Sequence, residues 1–252
     1  MATEQTRFTL RYSAGSDLGR RRSNNEDSVY ASGRLLVVAD GIGGQPHGEV
    51  ASSTAVSVLA SLDAELRTLD LTAQDLSAIL TDAVHQVSAK LAAVAEQTPA
   101  TQGMGTTLTT LLFDGSHFAA AHVGDSRGYL LRDGELQRIT RDHTLAQALV
   151  EDGSISAADA AHHPRGSLLM KALLSTGSAE PDVWEFTPQA GDRYLLCSDG
   201  LTAGASEPAI LDVLAEGTPE ETVPRLIALA NEGGGPDNIT IVVADVVEVA
   251  EV

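Results

Sequence analysis

The stretch LLVVADGIGG at 35–44 constrains the fold of this chain most. Leu35 to Ala39 form an apolar run without a turn former that is too short for a typical helix, so it predicts a strand buried on both faces. The run stops at Asp40, whose burial costs free energy unless a positive or hydrogen-bonding group meets it. The glycines that follow allow backbone carbonyls to approach a small ligand. The stretch predicts one wall of a metal site, although Asp-Gly alone is typical of an ordinary turn.

The other elements combine strands in hairpins with two long helices. Hairpin turns are predicted at Asp114-Gly115 and Asp133-Gly134. One helix is predicted over 48–66, and a second runs to about Glu96 after a capping pair, Thr72 and Asp75. This order favours antiparallel sheets with helices packed outside them, an α+β fold, over an alternating parallel sheet.

Two later segments add to this pattern. Residues 142–167 are polar and weakly periodic, with two short helical pieces, and we interpret them as a flap over a site. Thr218-Pro219-Glu220-Glu221 is a strong helix start, with a cap, a proline at the first helical position and a glutamate at the third. The final strand is predicted from Ile239.

Length and charge exclude several classes of protein. The 252 residues show no linker, so we expect one domain, 1–252. The 16 Lys and Arg against 35 Asp and Glu give a net charge of −19, which excludes a general nucleic-acid binder, with the triplet at 20–22 a local basic exception. No apolar run reaches the roughly 18 residues of a membrane span, and the first ten residues lack signal-peptide character. The single Cys197 excludes an internal disulfide and a thiolate metal cluster, and it fits a reducing compartment.

Carboxylates recur beside the predicted strand ends, at Asp40, Asp125, Asp199 and Asp237, and in the NNED segment at Glu26 and Asp27. Several buried like charges repel one another unless cations neutralise them. Oxygen ligands suit Mg²⁺ or Mn²⁺, and no paired Cys or His-x-x-x-His pattern supports zinc. Two such ions about 3.5 to 4 Å apart can activate a water toward phosphorus. An arginine from the basic triplet would hold the phosphate oxygens.

Six motifs follow in order: GRRRSNNEDS, VADGIGG with GEVAS, GMGTTL, VGDSRGYLLRDG, LLCSDGL and GGPDNITIVV. In this order and at these separations they resemble the metal-dependent protein phosphatases of type 2C, in particular bacterial Ser/Thr phosphatases that oppose eukaryote-like kinases. The resemblance extends from about residue 8 to 247. It implies a four-layer αββα sandwich of two antiparallel sheets flanked by helices. It also implies hydrolysis of phosphoserine and phosphothreonine by water activated at a binuclear Mn²⁺ or Mg²⁺ centre.

The resemblance also implies the metal ligands by position. Asp40 should bridge both metals, with the Gly41 carbonyl on one of them. Asp199 and Asp237 should hold the other metal, and Glu26 should act directly or through water. Together these residues form the expected two-metal centre.

Further roles follow from the same motifs. Arg22 aligns with the phosphate-binding arginine, which makes it a catalytic residue together with Asp40, whereas Arg20 and Arg21 are expected to be surface or steering residues. Asp27 is expected to orient a metal water. A third, weaker metal would involve Asp125 with Asp199 and Ser167 at the end of the flap.

One departure from the family pattern concerns the proton donor to the leaving oxygen. Some members carry a histidine two residues after the aspartate that corresponds to Asp40, and this chain has Ile42. A metal-bound water would then have to donate the proton. The other acids considered, each with a surface or structural role as the alternative, are His47, His143, His162 and His163, while His85, His117 and His122 are expected to pack within elements.

The expected partners are phosphorylated proteins, including a Ser/Thr kinase, and the expected state is a monomer. The resemblance implies a cytoplasmic protein or the cytosolic part of a membrane-anchored one, since relatives can continue into an anchor. Two alternatives stay open: a non-catalytic relative that binds a regulator or phosphorylated partner, and a Ca²⁺-stabilised structural domain. The intact set Asp40, Asp199 and Asp237 speaks against the first. Turnover with Mn²⁺ would exclude the second.

Overall fold

Two antiparallel sheets form the centre of the protein. The computed structural model describes residues 7–42, 47–160, 163–177 and 179–249. The first sheet contains, in spatial order, β1 (Phe8–Asp17), β12 (Ile239–Glu248), β11 (Arg193–Cys197), β7 (Arg127–Arg132) and β8 (Glu135–Arg138). The second contains β10 (Asp182–Phe186), β6 (Phe118–Val123), β5 (Leu108–Phe113), β3 (Leu35–Asp40) and β2 (Asp27–Ala31). A small ribbon pairs β4 (Gly105–Thr106) with β9 (Leu173–Leu174).

Helices cover the outer face of each sheet. The helices are α1 (Gly48–Leu66), α2 (Leu76–Gln97), α3 (Leu145–Glu151), α4 (Ala157–Ala160), α5 (Asp199–Gly204), α6 (Glu207–Leu214) and α7 (Pro219–Glu232), with 3₁₀ turns at Leu71–Ala73 and Pro99–Thr101. α1 and α2 pack on the second sheet, whereas α5, α6 and α7 pack on the first. Within the described ranges, no helix combines the length and the apolar character that crossing a bilayer requires.

Strand β3 shows how the sequence produces these layers. Leu35, Val37 and Ala39 join the core under α1 and α2, while Leu36 and Val38 face the other sheet. All five side chains are fully buried. A third core, between the first sheet and α5 to α7, completes the order helix, sheet, sheet, helix. The predicted four-layer αββα sandwich and the strand buried on both faces are therefore confirmed.

Turn and cap chemistry explains several boundaries. Both predicted hairpins are present: β5 with β6, and β7 with β8 around Asp133 and Gly134, which have φ of 53° and 81°. Helix α7 begins with a capping box, since Thr218 accepts from the Glu221 amide and the Glu221 side chain accepts from the Thr218 amide. The free thiol of Cys197 is buried in β11.

The predicted capping pair of α2 is wrong in one member. Asp75 caps the helix alone, since its Oδ1 accepts from the Ala78 amide at 2.8 Å. Thr72 lies in the preceding 3₁₀ turn, where its amide and hydroxyl both donate to Asp70 Oδ1. Because an aspartate two residues earlier already satisfies Thr72, this residue does not reach α2.

The predicted flap leaves the first sheet after β8 and contains α3 and α4, in agreement with the two short helical pieces expected. Its two ends lie side by side: the Leu145 amide donates to the Leu168 carbonyl at 2.9 Å, and the Met170 amide donates to the His143 carbonyl at 2.8 Å. Backbone hydrogen bonds therefore join the segment in which the flap begins to the segment in which it ends.

The first and the last strand of the sequence, β1 and β12, are neighbours in the first sheet. β1 and β12 pair over ten residues, from Phe8 opposite Glu248 to Asp17 opposite Ile239. The segment after β1, which carries Arg22, and the segment before β12, which carries Asp237, therefore lie at the same end of the sandwich. This end holds the candidate site.

Candidate metal centre

A polar cavity of about 250 Å³ opens at this end of the sandwich. Seven of the eight predicted site residues line it: Arg22, Asp40, Gly41, Asp125, Ser167, Asp199 and Asp237. Ile42, Thr107 and Leu169 complete the lining. A larger cleft of about 840 Å³ lies around Phe8 and Gly33, toward the opposite ends of β1 and β3, and contains none of these residues. The cavity with the carboxylates is therefore the candidate site.

Thr107 fixes the backbone of Asp40. The Asp40 amide donates to Thr107 Oγ1 at 3.0 Å, and the Thr107 amide donates to the Asp40 carbonyl at 2.8 Å. Thr106 Oγ1 donates to the same carbonyl at 2.9 Å. The amide and the carbonyl of Asp40 are therefore both hydrogen-bonded. These contacts fix the backbone position from which the Asp40 side chain extends at the cavity wall.

Asp27 stands directly opposite Asp40 in the β2–β3 pair. Its Oδ2 accepts a hydrogen bond from Ser198 Oγ at 2.7 Å, and its carboxyl is in hydrogen-bonding contact with that of Asp40. Burial raises the pKa of Asp27. The expected role of Asp27, the orientation of a metal water, stays a prediction, but its position beside Asp40 agrees with it.

Asp199 is the first residue of α5, and Ser198 alone separates it from the end of β11. A close crossing fixes this corner, because a Cβ at Gly200 would lie 1.8 Å from the Asn238 carbonyl oxygen. The absence of a side chain at Gly200 thus lets the start of α5 meet the start of β12. This contact brings Asp199 and Asp237 to the same cavity.

Arg22 and Asp237 form an ion pair at the cavity edge. Arg22 Nη2 donates to Asp237 Oδ2 at 2.6 Å, and this contact raises the pKa of the Arg22 guanidinium. The Arg22 side chain is 42% exposed, so the pair contributes little to stability by itself. Its relevance is positional, because it holds a guanidinium beside the predicted metal ligands.

The carboxylates at the cavity resist ionisation in one another's presence. Burial, followed by repulsion from Asp27, Asp199, Asp125 and Asp237, raises the pKa of Asp40 well above its usual range. Burial and repulsion from Asp237 raise the pKa of Asp199 to about 6. Burial and repulsion from Asp199 raise the pKa of Asp125 to about 7. A cluster of this kind is stabilised by added positive charge.

The donor set fits hard divalent cations. It consists of carboxylate oxygens and one backbone carbonyl, which are the ligands that Mg²⁺ and Mn²⁺ prefer. In the part of the chain that the structure describes, no three acidic, histidine or cysteine side chains form a closed metal-binding group. Here Asp237 is directed toward Arg22 instead. The residues therefore fit divalent cations in their chemistry and share one cavity, and their assignment as ligands of two cations stays a prediction.

Gly41 and Glu26 meet at the back of the cavity. The Gly41 amide donates to the Glu26 carbonyl at 3.0 Å, and a Cβ at Gly41 would lie 2.4 Å from the Gly48 carbonyl oxygen. Glu26 is the one predicted site residue outside the cavity lining. Burial and repulsion from Glu49 raise the pKa of its carboxyl. A direct or water-mediated metal contact of Glu26 stays a prediction.

Asn238 organises the loop that carries Arg22 and Glu26, a role that sequence reasoning missed. Its Oδ1 accepts from the Glu26 amide at 2.9 Å, and its Nδ2 donates to the carbonyls of Leu18 and Asn24 at 2.9 and 3.0 Å. The only sequence signal was its place in the Pro-Asp-Asn motif. One amide side chain thus satisfies three backbone groups from a different part of the chain.

None of the described histidines lines the cavity. His47 is exposed beside Glu49, and His143 is buried against Asp182. His163 accepts from the Arg165 amide, and His162 lies outside the described residues. No imidazole of the described chain therefore replaces the family histidine at Ile42.

The expected packing roles of the remaining histidines are correct for one residue only. His122 is 1% exposed and packs within β6. The predicted packing role of His85 is wrong, because this residue lies on the solvent face of α2 and approaches Glu180. The predicted packing role of His117 is also wrong, because this residue lies in the β5–β6 turn and its side chain is 44% exposed.

Known proteins resemble this chain over most of its length. A family model described as Protein phosphatase 2C matches residues 15–226. The serine/threonine protein phosphatase PstP of Mycobacterium tuberculosis is 52% identical over 242 residues, which make up 96% of this chain and 46% of PstP. The chain therefore spans about half the length of this relative. The serine/threonine phosphatase stp of Listeria monocytogenes is 38% identical over 236 residues, 91% of this chain and 93% of stp.

Solved structures agree with this relationship. The crystal structure of Mycobacterium tuberculosis PstP/Ppp has a TM-score of 0.88 and 50% identity, and the match covers 94% of this chain and 98% of that one. The catalytic domain of PstP in complex with two manganese ions has a TM-score of 0.86 and 50% identity, covering 95% and 99% of the two chains. The fold, the carboxylate cavity and these similarities lead to one conclusion: the chain belongs to the protein phosphatase 2C family.

Proposed function

We propose that this chain hydrolyses phosphoserine and phosphothreonine in proteins with the help of divalent cations. The observation that carries the proposal is the cavity in which buried carboxylates of raised pKa stand beside the Arg22 guanidinium. Negative side chains alone would repel a phosphate, so the site needs cations to accept one. The names of the relatives from Mycobacterium and Listeria support the same activity.

The chain's own residues divide into cation ligands and a phosphate ligand. Asp40, Asp199 and Asp237, with the Gly41 carbonyl, would hold two Mn²⁺ or Mg²⁺ ions. These ions would supply Lewis-acid activation of water and neutralise charge on the phosphoryl oxygens. Arg22 would donate paired hydrogen bonds to the phosphate, for which its planar guanidinium is suited.

We further propose a third, weaker cation near Asp125, Asp199 and Ser167. All three residues line both the 250 Å³ cavity and a neighbouring groove under the flap. The pKa of about 7 for Asp125 means that this carboxyl would gain from a positive neighbour. Ser167 lies at the end of the flap and offers a neutral oxygen.

The leaving serine or threonine oxygen needs a proton. Ile42 stands where some relatives have a histidine, and no described imidazole lines the cavity. We infer that water in the cavity supplies this proton. Ile42 and Leu169 contribute apolar surface to the lining of the cavity.

We propose that residues 1–252 form one catalytic unit, that it acts as a monomer, and that a Ser/Thr kinase is among its substrates. A cytosolic position fits phosphoprotein substrates of this kind. Since the chain spans 46% of the length of PstP, these statements concern the catalytic part.

An assay with four metal conditions tests the proposed activity. We expect hydrolysis of an aryl phosphate and of a phosphothreonine peptide with Mn²⁺ or Mg²⁺, and none with Ca²⁺ or chelator. Asp40→Asn and Asp237→Asn should abolish it, whereas Asp212→Asn on the exposed side of α6 should not. Full metal-dependent activity of Asp40→Asn would contradict the proposal, and turnover in chelator would show a different mechanism.

A further inference from the structure

The base of the flap contains a buried histidine that the reaction described above does not use. His143 is 8% exposed and lies two residues before α3. It makes two hydrogen bonds with a single residue, Gly124: its amide donates to the Gly124 carbonyl at 2.8 Å, and its Nδ1 accepts from the Gly124 amide at 3.0 Å. Both backbone groups of Gly124 are thus fixed by one histidine. The next residue in the chain is Asp125.

The other ring nitrogen of His143 connects to the second sheet. His143 Nε2 is 3.0 Å from Asp182 Oδ2 on β10, and Lys171 Nζ donates to Asp182 Oδ1 at 2.7 Å. The Met170 amide donates to the His143 carbonyl at 2.8 Å. His143 at the start of the flap and Lys171, four residues after its end, therefore share the Asp182 carboxylate. Because Nδ1 accepts from an amide, Nε2 carries the proton and donates to Asp182.

Gly124 transmits its position to the cavity through direct contact. Its φ of +111° places it in a region that favours glycine, and a Cβ there would lie 2.6 Å from Thr107 Cβ. Thr107 Oγ1 in turn is 2.7 Å from Ser126 Oγ and accepts from the Asp40 amide. The residues on either side of Asp125 are therefore held against the residue that fixes Asp40.

We propose that His143 is a positioning residue that couples the base of the flap to Asp125 and thereby sets the affinity of the weakest cation site. This inference rests on the proposed function and deepens it. The Nδ1 bond to Gly124 is the critical contact, and the Nε2 bond to Asp182 serves to orient the ring. A histidine suits this task because its two nitrogens lie at fixed angles and engage two different elements.

Two substitutions separate the contact of His143 with Gly124 from its contact with Asp182. In His143→Asn, the amide oxygen takes the place of Nδ1 and retains the bond to Gly124, while the contact with Asp182 is lost. In His143→Gln, the longer side chain retains a donor for Asp182 but places no acceptor at Nδ1. Lys171→Met is the matched control, because it loosens the Asp182 anchor without touching His143.

The probe is Mn²⁺ itself, titrated into metal-free protein with free Mn²⁺ followed by electron paramagnetic resonance. We expect His143→Gln to weaken the weakest Mn²⁺ site about 10-fold or more, the range seen when groups behind metal ligands are lost. His143→Asn and Lys171→Met should bind within about 2-fold of the original protein, by the same reasoning. Thermal unfolding in chelator shows whether each variant folds.

Two outcomes would overturn the inference. Equal Mn²⁺ affinities in His143→Asn and His143→Gln would mean that the Gly124 contact does not position the site, whatever the unfolding temperatures show. A ¹⁵N spectrum of the unmodified protein in which the His143 Nδ1 carries the proton would contradict the hydrogen bond itself. Neither result depends on turnover, so a chain that binds Mn²⁺ but hydrolyses nothing would refute the proposed function and leave the His143 test valid.

Discussion

The guanidinium of Arg22 donates to the Oδ2 atom of Asp237 over 2.6 Å, although the two residues are 215 positions apart in the sequence. One is the predicted phosphate ligand and the other a predicted metal ligand. The contact means that a phosphate and a cation both compete with an existing partner. Binding of substrate and of metal should therefore be mutually dependent at this corner.

Loss of Arg22 should weaken substrate capture. Arg22→Ala removes charge-assisted hydrogen bonds to the phosphate, and we expect kcat/KM to fall about 10- to 100-fold. Arg22→Lys should recover only part of this loss, since a lysine lacks the paired donors. Steady-state kinetics with a phosphopeptide measures both, with Arg21→Ala as the exposed control. An unchanged kcat/KM in Arg22→Ala would remove Arg22 from the site.

Neutralising Asp40 should separate stability from activity. The pKa of Asp40 is raised because its charge is buried among other carboxylates. Asp40→Asn should therefore raise the unfolding temperature in chelator, while kcat falls at least about 100-fold. Differential scanning calorimetry with and without Mn²⁺ measures the first effect, and Mn²⁺ should stabilise the variant less than the original protein. A metal-free variant less stable than the original would be evidence against repulsion at this cluster.

Asn238 does not line the cavity, but its loss should lower the stability of the protein and weaken substrate binding. Asn238→Ala leaves one backbone amide and two carbonyls without their partner, at about 1 kcal/mol for each of these part-buried groups. We expect a loss of about 2 to 4 kcal/mol in urea unfolding and a raised KM. Asn238→Asp keeps the acceptor for the Glu26 amide but loses both donors, so an intermediate loss is expected. Equal stability of all three proteins would show that the loop is held by other contacts.

The stability of the fold should depend on pH through His122. Burial, followed by repulsion from His143, lowers the pKa of His122 to about 4, whereas the unfolded chain takes up this proton near pH 6.5. The contribution is therefore present above pH 6.5 and is lost as the pH falls toward 4, by up to about 3 kcal/mol. The carboxylates around Asp40 act in the opposite direction, so the informative quantity is the difference from His122→Asn. Urea titrations of the original protein and of His122→Asn, in chelator and between these pH values, measure this difference. The prediction is wrong if the free energy of unfolding changes equally with pH in the two proteins.

Salt should have a modest effect on capture of anionic substrates. The chain carries a net charge of −19, and only a local basic segment at 20–22 opposes it. Raising the ionic strength from about 20 to about 200 mM screens repulsion and attraction together, so kcat/KM for a phosphopeptide should change less than about 3-fold. A steep decrease would show that Arg20 and Arg21 dominate the encounter, and Arg20→Gln with Arg21→Gln would then remove it.

Elements with local signals could be predicted from the sequence, whereas those that depend on distant partners could not. The capping box at Thr218 and the Asp133-Gly134 turn each contain their own hydrogen-bonding groups, so their sequences suffice. Strand β10 gave no clear pattern, because every residue in it is partly exposed or half-buried at a sheet edge. Thr72 shows the opposite error, a local signal that a nearer aspartate satisfies.

The same distinction applies to the site. The convergence of Asp40, Asp125, Asp199 and Asp237 could be predicted because each stands beside a turn or a strand end. The roles of Asn238 and Thr107 could not, because their partners are backbone groups of residues far away in the sequence. Such residues have no spacing rule. Only the packed structure reveals what they hold.

The pairing of β1 with β12 has a consequence for biosynthesis. A nascent chain that has emerged from the ribosome only as far as β11 has its first strand without a hydrogen-bonded neighbour, and Asp237 is still inside the exit tunnel. The first and last strands must find each other across more than two hundred residues, a slow type of contact. The corner where Arg22 meets Asp237 should therefore form only after translation has passed residue 248.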